Sequence, residues 1–272
     1  MATILVTGGT GRLGRHVVPL LRTAGHPVRV LTRHTTDGES GVDYRLGDIA
    51  RDEGVEAAVE GAEIVVHCAA STKFAENLAM VRNLVSRASV AQVHHLIGVS
   101  VVGADRVPVR SRIDRLTSGY FALMVEVEQM IAQSGIPWTT LRATQFFDAS
   151  LLVVRMLVKL PVIPVASGYR FQPVDAAEVA ERLAVLAAGP PVGLAGEVAG
   201  PRVYTMKELI RGYLEATHRR RLTLPLRIPG GAARAIRGGA ILAPGRALGR
   251  RTWEEFLGET LADAEASRSQ AL

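Results

Sequence analysis

The sequence predicts an α/β protein with a doubly wound parallel sheet and a smaller, mainly helical C-terminal region. Two features carry that reading. Through the first half of the 272 residues, apolar runs of strand length alternate with amphipathic helical stretches, the pattern of parallel strands joined by right-handed crossovers. The first run, Ile4-Leu5-Val6, also leads directly into Gly8, Gly11 and Gly14, spaced G-x-x-G-x-x-G, and then into a helical pattern.

The elements follow in order. Leu13, Val17, Leu20, Leu21 and Ala24 fall on one helical face, and Gly25 supplies a C-terminal stop. Pro19 lies inside this helix, where it removes a hydrogen bond and is expected to kink the axis. Strands are expected over Val28–Leu31, Val42–Leu46, Glu63–His67, His95–Val99 and Trp138–Leu141, with helices over residues 52–59, 75–90 and 120–133. Beyond Leu141 the pattern loosens. It gives a helix over residues 146–159, an extended segment over 161–165, and a helix start at Asp175 with Glu178 three residues on. Shorter helices follow from Pro201, punctuated by Pro229-Gly230-Gly231 and Gly238-Gly239. A main domain is thus expected over residues 1–150 and a smaller substrate-binding region over 151–272, with residues 162–200 returning to the main core. The smaller region is expected beside the carboxyl ends of the strands, where open α/β sheets bind ligands.

The glycine turn points to a dinucleotide. Gly8 lets the chain leave the strand, Gly11 offers a backbone without Cβ to a pyrophosphate, and Gly14 lets the helix pack close to the sheet. The free N–H groups and positive dipole end of the helix then face the phosphates. Thr10, Arg12 and Leu13 belong to the same candidate site. An NAD site places an acidic residue ~20 residues past the glycines, on the ribose 2′-hydroxyl. Here that stretch is Leu31-Thr32-Arg33-His34, and the first acid, Asp37, comes late. Arg33 matches a 2′-phosphate, so NADP(H) is the preferred cofactor and NAD(H) the alternative. A solvated surface arginine is the plainer reading of Arg33. Asp48, with Ile49 beside it, either contacts the adenine or caps the next helix, and Ala69, Ala70 and Ser71 line the cofactor edge.

Composition narrows the classes. The net charge is +6, and arginine dominates, with lysine only at Lys73, Lys159 and Lys207. Basic residues cluster at Arg219-Arg220-Arg221 and at Arg246, Arg250 and Arg251, but aromatic residues do not interleave with them. No helix-turn-helix, zinc or RNA-binding signature appears, so nucleic acid is not an expected partner. The longest apolar stretch, Leu151–Ala166, is broken by Arg155, Lys159 and two prolines, so no membrane span and no membrane partner is expected. Nothing in the opening residues reads as a signal peptide, and the single cysteine, Cys68, gives no disulfide framework. A soluble cytoplasmic protein is expected. His67, His94 and His95 have no metal-ligand constellation around them in the sequence, so no metal is expected.

The run Thr7-Gly8-Gly9-Thr10-Gly11-Arg12-Leu13-Gly14 resembles the T-G-x-T-G-x-x-G of the atypical and extended short-chain dehydrogenases/reductases, especially their NmrA-like branch. Ala132–Phe147 and Phe171–Ala180 are similar to the same family, and the resemblance spans essentially the whole chain. It implies an NAD(P)-binding Rossmann fold and leaves the substrate open. In catalytic members a Ser after the fifth strand orients the substrate carbonyl. A Tyr-x-x-x-Lys on the next helix supplies the acid–base tyrosine and the lysine that lowers its pKa. Ser100 and Tyr120 match, with Tyr120 expected to open its helix; the lysine position is Met124. A tyrosine without that cation is a poor base at neutral pH but can still donate a proton. Topology and resemblance place Thr144 at the cofactor, with Gln145, Phe146 and Met124 in the substrate pocket. The expected function is NADPH-dependent reduction of a small organic carbonyl, quinone or similar acceptor. The alternative is a non-catalytic NADP(H)-binding sensor. A nucleotide-sugar epimerase or dehydratase is weaker, because it needs the same lysine. The apolar stretch Leu151–Leu160 either covers a substrate or contacts a second copy in a homo-oligomer.

Overall fold

The computed structural model describes residues 1–34, 38–71 and 73–270, with side chains through residue 263. The first half of the chain alternates as the sequence predicts. It runs β1 (Ile4–Thr7), α1 (Gly14–Thr23), β2 (Val28–Thr32), β3 (Val42–Leu46), α2 (Val55–Val59), β4 (Ile64–His67) and α3 (Phe74–Val90). Then come β5 (His95–Val101), α4 (Arg112–Ala132), β6 (Trp138–Ala143) and α5 (Phe147–Leu157). The rest is β7 (Val162–Ala166), β8 (Arg170–Phe171), α6 (Ala176–Ala187), β9 (Gly193–Val198), β10 (Tyr204–Thr205), α7 (Met206–Ala216), β11 (Leu222–Leu226), α8 (Gly231–Arg237) and α9 (Trp253–Gln270).

Seven strands form the central sheet in the order β3-β2-β1-β4-β5-β6-β9. The pairs β2–β3, β1–β2, β1–β4 and β4–β5 run parallel, with Val6 beside Val30 on one side and Val66 on the other. The chain starts at β1, grows outward to β3, then returns to lay β4 on the other flank of β1. This is the doubly wound arrangement, and β1 and β4 bound its topological switch point. β1 is apolar without alternation because helices cover both faces; Ile4, Leu5 and Val6 are completely buried. Burying each such side chain is worth about 1.5–3 kcal/mol.

The chain divides into two compact units. The first holds residues 1–105, 119–142 and 176–196. Its core joins Leu5, Val65 and Leu96 of the sheet to Val81 and Leu84 of α3 and to Leu123, Val127 and Ile131 of α4. On the other face α6 packs against α1. The second unit holds residues 106–118, 143–175 and 197–272. Its core is aromatic: Phe147, Trp253 and Phe256 stack with centroids 5.0–5.9 Å apart. The buried Trp253 indole donates to the Leu209 carbonyl at 3.1 Å.

Several expectations are corrected. α4 begins at Arg112, so Tyr120 lies in its third turn and does not open it. The cause is a capping box: the Asp114 N–H donates to Ser111 Oγ at 3.1 Å, and the Ser111 N–H donates to the Asp114 carboxylate at 3.0 Å. Asp114 also accepts from the Ala232 N–H at 3.0 Å, and these backbone donors hold its pKa down at about 2. On α1 the buried face is Val17, Val18 and Leu21, while Leu20 is half-buried and Ala24 exposed. α1 continues through Pro19, and the carbonyl it deprives of a helical donor belongs to the exposed Arg15. The extended segment expected over 161–165 is β7, which pairs parallel with β11; β10 pairs antiparallel with β8. Among the described residues no helix is long and apolar enough to cross a membrane.

Candidate functional site

The site starts at the carboxyl end of β1. Gly8 takes φ +69°, and a Cβ there would lie 2.6 Å from the Ala69 backbone after β4. A side chain is therefore excluded twice, by conformation and by the neighbouring strand. At Gly14 a Cβ would stand 2.2 Å from the Gly8 carbonyl oxygen and 2.5 Å from Gly9 Cα. α1 thus begins directly against the turn. Gly11 differs: it is exposed, and a Cβ there meets only Gly8 atoms, the nearest at 3.0 Å. Its outer side is open for a ligand. Thr10 and Arg12 are exposed beside it, and Leu13 is buried at the N-cap position. The Gly11 and Arg15 amides are engaged by Gly8 and Gly11 carbonyls. The remaining amides at a helix start lack intrahelical acceptors and are suited to phosphate oxygens.

The flanking residues vary in how well they fit a dinucleotide. Arg33 is exposed immediately after β2. Asp37 lies outside the described residues. Asp48 is occupied locally: its carboxylate accepts from the Ala50 N–H at 2.9 Å, and its own N–H donates to the Glu53 carbonyl. Ile49 is buried in the first core, and its carbonyl accepts from Asn83 at 2.8 Å. Ala69 is half-buried and Ala70 exposed after β4. The Ser71 hydroxyl donates to Glu76 at 2.6 Å, and its N–H donates to Asn77 at 3.0 Å, which tightens the entry to α3.

Of the catalytic candidates, Ser100 sits near the end of β5, and its buried hydroxyl finds no hydrogen-bond partner among the described residues. A Cβ on Gly98, two residues earlier, would meet Ile131 of α4. Ser100 therefore faces the α4 side of the sheet. On α4, Tyr120 is half exposed and meets Phe121 edge-on at 6.2 Å. Desolvation raises its pKa above the usual 10. One turn on, Met124 is 8% exposed and belongs to the apolar core. Cys68, the free cysteine after β4, is partly buried, and desolvation pushes its thiol up to about 12. No group of three His, Cys, Asp or Glu among the described residues is arranged to hold a metal.

His67, at the end of β4, is buried and shares a 2.7 Å hydrogen bond between Nδ1 and the Thr7 hydroxyl. Burial lowers its pKa from 6.5 to about 4. The unfolded chain binds the extra proton first, so stability is complete above about 6.5 and declines as pH falls toward about 4. The full loss from this group is about 3 kcal/mol. Denaturant titrations from pH 7 to 4 should show it, and His67→Phe should flatten that limb; an unchanged limb would remove His67 as its source.

The remaining candidates belong to the second unit. The buried Thr144 hydroxyl donates to the Gln172 carbonyl, and its N–H donates to the Val198 carbonyl at 3.0 Å. Phe146 occupies the N-cap position of α5 and bridges to Val174. Gln145 lines an apolar cleft of about 150 Å³ together with Ala149, Val153 and Leu157 of α5, Phe171, and Met206 and Leu209 of α7. The Gln145 amide oxygen is buried there and has no hydrogen-bond partner among the described residues. Sequence reasoning named Gln145 and, within the stretch Leu151–Leu160, Val153 and Leu157, but missed Ala149, Phe171, Met206 and Leu209. The available signal was the second apolar stripe of α5, because Leu151 and Val154 already account for its core face.

Comparisons with known proteins agree with this geometry. A mycobacterial protein of unassigned function, from Mycobacterium tuberculosis, is 32% identical over 186 residues, and the match covers 68% of this chain. The chain spans only 20% of that protein's length. A (4-alkanoyl-5-oxo-2,5-dihydrofuran-3-yl)methyl phosphate reductase of Streptomyces griseus is 29% identical over 212 residues, covering 75% of this chain and 70% of the relative. Among solved structures, an NADPH-dependent quinone oxidoreductase of Escherichia coli complexed with NADPH has the same fold. It aligns with TM-score 0.77 and 20% identity over 95% of this chain and 99% of its own. Residues 8–161, more than half of the chain and beginning at the first glycine of the turn, match the family described as NAD(P)H-binding. The chain belongs to that NAD(P)H-binding family.

Proposed function

We propose that the protein is an NADPH-dependent reductase of a small apolar acceptor, a carbonyl compound, a quinone or a similar molecule, of the NmrA-like branch. The observation that carries this reading is the chemistry of Tyr120. It stands half exposed on α4, and the residue one turn on, where a cation would lower its pKa from the usual 10, is the uncharged Met124. Such a tyrosine stays protonated at neutral pH, so it serves as an acid and not as a base. That suits reduction, in which an oxygen must gain a proton. The bound dinucleotide supplies the hydride. Ser100, with its unpartnered hydroxyl on the α4 side of the sheet, is the candidate to orient the acceptor oxygen. The reductases among its relatives support the reaction class.

NADPH oxidation followed at 340 nm against a panel of quinones and apolar carbonyls tests the reading. Turnover that falls at least tenfold in Tyr120→Phe supports it, and a panel without turnover overturns it. The cofactor preference has its own test. Arg33→Ser should weaken NADPH binding by about 10–100-fold, the worth of one charge-assisted phosphate contact. NADH binding should not change. Calorimetric titration with all four dinucleotides measures both, and equal loss for NADH would remove Arg33 from the 2′-phosphate. Met124, buried where catalytic members of the resembled family hold lysine, favours a second reading as a non-catalytic NADP(H) sensor. Tight NADPH binding with no turnover on any acceptor would select it.

A further inference from the structure

In the two-stranded ribbon of the second unit, β7 buries one side in the core, while β11 is exposed along its whole length. On β7, Ile163 and Val165 point into the aromatic core, while Val162, Pro164 and Ala166 point away from it. The parallel register sets Leu222 beside Val162, Leu224 beside Pro164 and Leu226 beside Ala166. The three leucines therefore share the uncovered face, at 73%, 53% and 45% exposure. Val162, beside Leu222, is exposed with them. Contiguous apolar surface of this kind on a folded chain marks an interaction site.

The charges around it identify the occupant. The β11 segment and its flanks, residues 218–227, contain Arg219, Arg220, Arg221 and Arg227 and no acidic residue. All four cations are exposed. A second copy docking face to face would press this basic rim against its own image. Addition of a further strand at the β11 edge is hindered by Pro225, which has no N–H to give. We propose that this face binds an anionic phospholipid surface. The leucine face of the ribbon enters the boundary between headgroups and acyl chains, and the arginines that flank β11 meet lipid phosphates. The contact is peripheral, so the lack of a spanning helix does not bear on it. It does not depend on the reductase reading.

Cosedimentation of the full-length protein with phosphatidylcholine–phosphatidylglycerol vesicles tests the proposal. Binding should far exceed that to pure phosphatidylcholine. It should fall as salt shortens the screening length from ~10 Å at 0.1 M to ~3 Å at 1 M. Replacing the three cations that precede β11 (Arg219→Gln, Arg220→Gln, Arg221→Gln) should lower partitioning on the order of 100-fold. Leu222→Ser with Leu224→Ser should abolish it. An unchanged tryptophan fluorescence spectrum and urea midpoint, read from Trp253 in the second unit's core, show that each variant is folded. No binding to anionic vesicles overturns the proposal, as does binding indifferent to both sets of changes. A dimer in solution that Leu222→Ser/Leu224→Ser dissolves would give the face to a second copy and overturn it equally.

Discussion

Gly14→Ala should abolish NADPH binding and destabilise the fold together. The added Cβ would stand 2.2 Å from the Gly8 carbonyl oxygen and 2.5 Å from Gly9 Cα. Both are backbone atoms, so no side chain can swing aside. The helix must draw back from β1, or the turn must open. Overpacking of a well-packed site costs about 1–3 kcal/mol and more where backbone must move, so a loss of about 3 kcal/mol or greater is expected. The same displacement takes the helix amides out of register with the phosphates, and affinity should fall at least 100-fold. Gly11→Ala separates the two effects. Its Cβ meets only Gly8 atoms, at 3.0 Å and beyond, so stability should change by less than about 1 kcal/mol. Yet the methyl group occupies the approach to the pyrophosphate, and binding should still be lost. Urea denaturation and calorimetric titration of the two variants measure both quantities. Normal NADPH affinity in Gly11→Ala would mean that the phosphates do not lie over this turn.

The contrast between these glycines also explains what was legible in the sequence. Gly8, Gly11 and Gly14 act through local geometry, so their spacing alone predicts the turn, α1 and the cofactor class. Strands such as β1 were legible because parallel strands covered on both faces read as unbroken apolar runs. The start of α4 was misplaced because its signal, Ser111 with Asp114 three residues on, was overlooked in favour of an alignment to Tyr120. The second unit was least legible. Its core forms between distant segments, Phe147, Tyr204, Leu209 and Trp253, whose local patterns do not announce one another. Its ribbon pairs residues sixty apart, Val162 with Leu222, and no local period encodes that. Asp48, which the sequence assigns either to the adenine or to a cap, and Ser71, expected at the cofactor edge, both make hydrogen bonds in the turns they sit in. Short polar residues after strands serve both purposes, and sequence cannot separate them.

Met124→Lys restores the Tyr-x-x-x-Lys of the resembled family and is expected to harm the protein. Met124 is 8% exposed and packs in the core that includes Leu123 and Val127. An ammonium placed there is desolvated, and burial lowers lysine pKa values by up to 3–5 units. A shift of about 3 units corresponds to a stability loss of about 4 kcal/mol at pH 7. The pH dependence gives the cause away. A lysine whose folded pKa is depressed to about 7 is neutral in the native state above that pH, while the unfolded chain still binds the proton up to about 10.4. Stability therefore recovers as pH rises from 7 toward 10, whereas a loss caused by shape alone would not recover. Met124→Leu, which keeps volume and apolarity, should cost less than about 1.5 kcal/mol at either pH. Urea midpoints at pH 7 and pH 10 for the two variants decide the matter. If Met124→Lys is as stable as the parent at pH 7, its ammonium has reached solvent or the Tyr120 hydroxyl. NADPH oxidation should then rise with it, because the lysine would lower the tyrosine pKa and hold the ribose. A destabilised, pH-rescued variant instead means that this core has been rebuilt around a neutral residue, which leaves Tyr120 to work as a proton donor alone.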